Sequence, residues 1–94
     1  MAVSTIKNNS FGEWENVTIP FTAPSDGFFY VRGRPSTSTT GQVSITNNTS
    51  EAHVYVVCIA GINASNIAPV KKGDVLSLNY LSSNVTPNYK FLPL

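Results

Sequence analysis

The chain has 94 residues, a formal charge of +1 and 12% charged residues, where soluble domains usually carry roughly 25%. This length bounds it to one domain, the weak charge supplies no basic patch for nucleic-acid phosphates, and no apolar run reaches the roughly 18 residues of a transmembrane helix. A lone cysteine, Cys58, forbids an internal disulfide, and with a lone histidine, His53, it cannot fill a four-ligand zinc site.

Residues 1–12 are expected to be an arm or weak first strand ahead of a single domain over 13–94. Residues 1–7 contain no apolar h-region, so they do not resemble a secretory signal, and synthesis in the cytoplasm without one is expected. From Trp14 to Phe21 the pattern is that of a strand. Val17, Ile19 and Phe21 alternate with Thr18 and Pro20, giving one apolar and one wet face. Pro20 cannot donate to a ladder and marks an edge or a strand end. Residues 23–27, Ala-Pro-Ser-Asp-Gly, form a turn: proline fixes φ, aspartate bonds back to the backbone and glycine tolerates positive φ.

Residues 28–32 form the next strand, with Phe28, Tyr30 and Arg32 on one side and Phe29 and Val31 on the other. Apolar residues on both sides predict that both faces are covered. A polar loop over 33–41 and a strand over 42–46 follow, with Val43 and Ile45 inward. Residues 47–50 form a turn. The stretch 54–60 is the most apolar and predicts a central buried strand. Residues 61–66 are ambiguous, reading as a bend or as a bend that leads into a short strand through Ile67. A turn at 71–74 and a strand over 75–81 come next, the last placing Leu76, Leu78 and Tyr80 on one face. After a polar loop at 82–87, residues 89–94 close the chain with Tyr89, Phe91 and Pro93 on one side.

About eight short strands and no helical segment predict an all-β antiparallel sandwich. A jelly roll fits best, and an immunoglobulin-like sandwich is the alternative.

Chemistry-bearing patterns are sparse. His53 lies in a polar turn beside Glu51, and no serine sits in a G-x-S-x-G frame. Asp26 and Asp74 neighbour turn glycines, where aspartate bonds backbone N–H groups. Glu13 and Glu15 flank Trp14, a pattern found in some sugar sites and also at solvated strand starts. Cys58 in an apolar strand behaves as a small hydrophobe. No catalytic residue, cofactor or metal is expected. Asn-x-Ser/Thr frames begin at Asn8, Asn16, Asn47, Asn48, Asn63 and Asn84. Asn, Ser and Thr make up about a third of the chain, enough to produce such frames by chance. Neutral donors beside aromatic rings also suit carbohydrate hydroxyls and their apolar CH faces.

Three segments carry a resemblance. Residues 21–31, Phe-Thr-Ala-Pro-Ser-Asp-Gly-Phe-Phe-Tyr-Val, resemble the opening of small β-sandwich domains on bacteriophage fibres. Residues 70–76, Val-Lys-Lys-Gly-Asp-Val-Leu, resemble the turn before their penultimate strand, and residues 89–94, Tyr-Lys-Phe-Leu-Pro-Leu, are similar to their ending. The resemblance implies a trimeric jelly roll of a tail-fibre tip or a head-decoration protein, located on the virion. Its partners would be a host-surface glycan or protein, or other virion proteins. It departs at the start: the sequence begins at Met1 with no shaft, so the expectation is either an excised domain or a free-standing small virion protein such as a head fibre or decoration protein. A stand-alone bacterial carbohydrate-binding module, an enzyme accessory domain or small hydrolase, and a purely structural subunit are the rival readings.

Trimerisation would supply core that so short a chain lacks. Phe28, Phe29, Tyr30, Tyr89 and Phe91 are the candidate interface residues. A receptor site is expected on loops at one end of the sandwich, with Arg32, Arg34, Asn47, Asn48, Asn84 and Asn88 as candidates.

Overall fold

A computed structural model describes residues 12–94. These form eight strands: β1 (Glu15–Val17), β2 (Phe21–Thr22), β3 (Gly27–Pro35), β4 (Gly41–Asn47), β5 (Ala52–Cys58), β6 (Ala64–Val70), β7 (Val75–Leu81) and β8 (Val85–Pro93). They pair into two four-stranded antiparallel sheets, in the orders β1-β8-β3-β6 and β2-β7-β4-β5. The chain is thus an all-β sandwich. The expected arm lies outside the described residues except for Gly12, whose N–H donates to the Pro93 carbonyl at 2.7 Å.

The core lies between the sheets and follows from period-two alternation. On β3, Phe29 and Val31 are fully buried, as are Val43 and Ile45 on β4 and Leu76 on β7. Phe91 of β8 lies opposite Phe29 in register. Phe21 closes the aromatic cluster, 5.1 Å from Phe91 and 6.1 Å from Phe29 between ring centroids. Val17, Ile19 and Phe21 pack against this core, as their alternation predicted. The strand expected over 14–21 is divided in two. β1 joins one sheet and β2 the other, and Pro20 lies in the crossing between them.

Four expectations are corrected. β5 is not central but an edge strand. Only Val54, Val56 and Cys58 turn inward, while Tyr55 and Val57 are exposed. β3 runs on to Pro35 instead of ending at 32, because Gly33 faces inward where a side chain has no room. A Cβ there would lie 2.8 Å from the Cys58 Sγ. β8 likewise begins at Val85, inside the segment expected to be a loop. Finally, Tyr80 does not share a face with Leu76 and Leu78. A β-bulge opposite Ser44 and Ile45 intervenes, pairing Ser44 with Tyr80 but Ile45 with Leu78.

The alternation also divides the five candidate interface residues. Phe29 and Phe91 are buried by their own chain, at 0% and 1% exposure, and so are unavailable to a neighbour. Tyr89 points inward as well and stacks on Phe29 at 6.1 Å. Only Phe28 and Tyr30 face outward.

Candidate functional site

The two sheets present outer faces of opposite character. On the β1-β8-β3-β6 sheet, the register places Tyr30 between Lys90 of β8 and Ile67 of β6, and Arg32 between Asn88 and Ser65. Trp14, just before β1, meets Tyr30 edge-on at 5.9 Å, and these two with Lys90 enclose a shallow cavity of about 220 Å³. Trp14 is 44% exposed and Ile67 50%. Half-buried Phe28 and Leu92 share this face, with Arg32, Arg34 and Lys90 as its cations. The Arg32 Nε is buried with no hydrogen-bond partner among the described residues. Apolar and cationic groups therefore alternate over a surface that no described strand covers.

The outer face of the β2-β7-β4-β5 sheet is neutral. β4, β5 and β7 contain no Asp, Glu, Lys or Arg. Ser44 lies in register between Tyr55 of β5 and Tyr80 of β7. The rings are 55% and 51% exposed, while Ser44 is 6% exposed at their base. The bulge gives Asn79 no partner residue on β4. Its side-chain amide donates instead to the Ser44 Oγ at 3.2 Å, which brings Asn79 to the same face as Tyr80. Bulges commonly re-aim side chains in this way. Beside Tyr80, the residues Thr40, Gly41, Gln42 and Ser82 complete a depression of about 330 Å³.

The six candidate binding residues do not converge. Arg32, Arg34 and Asn88 lie on the cationic face. Asn48 lies at the end of the sandwich that carries the β4–β5 turn, where its Oδ1 accepts from the Ser77 hydroxyl at 3.2 Å. Asn84 lies at the opposite end, donating to the Thr37 Oγ1 at 3.2 Å and the Thr39 carbonyl at 2.9 Å. Asn47 is buried and holds its own turn together: its Oδ1 accepts the Thr49 and Ser50 N–H groups. The role expected for the two turn aspartates is observed. The Asp74 carboxylate accepts the Lys71 N–H at 2.9 Å, and Asp26 accepts the Lys72 N–H at 2.9 Å.

His53 bonds to the Thr46 Oγ1 through Nδ1 at 3.3 Å. Among the described residues, no three His, Cys, Asp or Glu side chains gather as a metal site would require. No protein-family model, no curated protein and no solved structure matches the chain.

Tyr55 and Tyr80 escaped the sequence reading for separate reasons. Tyr55 sits in the most apolar run, which suggested a buried strand. Tyr80 appeared to continue the Leu76–Leu78 face, and only the cross-strand register reveals the bulge. The absence of charge from three strands was the signal available.

Proposed function

We propose that this chain is a non-catalytic virion domain, a fibre tip or decoration protein, which assembles as a trimer and serves attachment or virion assembly. The observation that carries the reading is the outer face of the β1-β8-β3-β6 sheet. There Trp14 and Ile67 stand about half exposed around Tyr30. Exposed apolar patches rimmed by polar groups mark interaction surfaces. A threefold arrangement repeats one such contact around a closed ring. Arg32 and Lys90 are interleaved with the aromatic rings of this face, so a contact with another copy would have to leave them water or give them a counter-charge, since a buried unpaired charge is costly.

The strand order supports the jelly-roll layout. β1-β8-β3-β6 facing β2-β7-β4-β5 is the order that two interleaved Greek keys generate. The phage-fibre resemblance over residues 21–31, 70–76 and 89–94 supports the same reading. His53 meets the Thr46 hydroxyl but has no carboxylate at hydrogen-bond distance among the described residues to orient it as a general base, which favours a binding or structural role over hydrolysis.

The neutral face around Tyr55 and Tyr80 favours a second reading, a stand-alone carbohydrate-binding module. Oligomeric state separates the two. Light scattering of the purified chain is expected to give a trimer under the first reading and a monomer under the second.

A further inference from the structure

We propose that the outer face of the β2-β7-β4-β5 sheet binds a neutral oligosaccharide across Tyr55 and Tyr80. This deepens the attachment reading. It rests on the chain being a binding domain and is independent of how many copies assemble.

Three observations define the ligand's chemistry. First, β4, β5 and β7 hold no charged Asp, Glu, Lys or Arg side chain. An anionic or cationic ligand would therefore lose water there and gain no counter-charge. Second, Tyr55 and Tyr80 flank Ser44 on neighbouring strands. Two strand spacings separate their backbones by about 10 Å, a span that two linked pyranose rings cover. Tyrosine rings offer flat apolar contact with a hydroxyl at the tip, which matches the apolar CH face and hydroxyl edge of a sugar.

Third, amide groups border the rings with hydrogen-bonding capacity to spare. The Gln42 backbone is fully engaged with Ser82: its N–H donates to the Ser82 Oγ at 2.9 Å, and its carbonyl accepts the Ser82 N–H at 2.9 Å. Its side-chain amide has no partner among the described residues and borders the 330 Å³ depression beside Tyr80. Asn79 commits its Nδ2 to Ser44, and its Oδ1 has no partner among the described residues. A primary amide both donates and accepts, as paired sugar hydroxyls require. A wholly apolar ligand would strand these amides without partners, which is costly. The bulge at Asn79 is what brings the Tyr80 ring and this amide onto one face.

The test is an array of neutral gluco-, galacto-, manno- and N-acetylglucosamine oligosaccharides beside sialylated and sulfated ones. Nuclear magnetic resonance titration of the best neutral probe follows. The expected result is binding of at least one neutral probe, with shifts of the Gln42 and Asn79 side-chain amide signals. Tyr80→Ala and Tyr55→Ala are each expected to weaken binding by about tenfold or more, while Lys72→Ala, in a distant turn, leaves it unchanged. If Tyr80→Ala fails to fold, Tyr55→Ala on the edge strand and Gln42→Ala carry the same test. Binding to none of the neutral probes at millimolar concentration overturns the proposal. So does binding confined to the acidic probes, or undiminished binding by both tyrosine variants. A trimer that binds no neutral sugar refutes this inference and leaves the assembly reading standing. A sugar-binding monomer does the reverse.

Discussion

The side-chain amide of Asn47 donates to the Asp74 carboxylate at 2.9 Å, joining the turn after β4 to the turn before β7. Asp74 also accepts the Lys71 N–H, so one carboxylate organises the Lys71–Asp74 turn and pins it to the neighbouring hairpin. The backbone bond from Lys71, and then the Asn47 amide, hold the Asp74 carboxyl below its ordinary value of 3.8. A carboxyl with a depressed folded-state value stabilises the protein fully above the ordinary value and loses that contribution as pH falls through the folded one. The contribution of Asp74 to the melting temperature should therefore be constant from neutral pH down to about 4 and diminish below that. Asp74→Asn should melt lower at neutral pH and show a shallower acid decline, as thermal melts from pH 7 to pH 2 would record.

Asn47→Ala removes three hydrogen bonds at once, to Asp74, Thr49 and Ser50. A loss of about 1–3 kcal/mol is expected for a buried polar group whose partners are left unsatisfied. Urea unfolding measures it. Asn48→Ala, in the exposed turn, should cost much less.

Gly33 and Cys58 share one small space between the sheets. A Cβ on Gly33 would meet the Cys58 Sγ at 2.8 Å and the Val85 and Val56 methyls at 3.2 and 3.3 Å. Gly33→Ala should destabilise by about 1–3 kcal/mol through overpacking. In a Cys58→Ala background the same substitution should cost less, because the sulfur is gone. A double-mutant cycle in urea reads this coupling directly, and strictly additive costs would contradict it.

Tyr89 stacks on Phe29 inside the sandwich, and burial raises its hydroxyl above the ordinary value of 10.0. A group raised on folding contributes stability that is complete below the ordinary value and is lost as pH climbs toward the folded one. The protein should thus lose stability as pH rises beyond 10. Tyr89→Phe should flatten that alkaline decline, as melts in high-pH buffers would record.

Much of this fold was legible in two-residue alternation. Phe29 and Val31 against Phe28 and Tyr30, and Val43 with Ile45, sort to the correct faces because one side of each strand must be dry. Alternation failed where the answer depends on a neighbouring strand. The bulge at Asn79 exists only relative to Ser44 and Ile45, so no pattern within β7 shows that Tyr80 changes face. Gly33 looked like loop material because a glycine among polar residues breaks a strand pattern, whereas Cys58 explains its place in β3. β5 looked central because its outward positions carry Tyr55 and Val57 as well as its inward valines. The candidate site suffered most, since loop asparagines looked free and Asn47 and Asn84 are engaged within the chain. The neutral face that the structure offers instead lies on strands.

Buried and outward aromatics should separate sharply. Phe29→Ala removes a fully buried ring and should cost about 3–5 kcal/mol, with the secondary structure monitored by circular dichroism. Tyr30→Glu, on the outer face, should leave the melting of the isolated fold little changed and lower the mass of the particle in solution.

That mass is the most direct measure of the account. Sedimentation equilibrium of the unmodified chain at micromolar concentration should give about three times the 10.1 kDa of one chain, as closed threefold assembly requires, and Tyr30→Glu should return it to the mass of one. A single-chain mass for the unmodified protein across that range would contradict assembly through the Trp14–Tyr30 face.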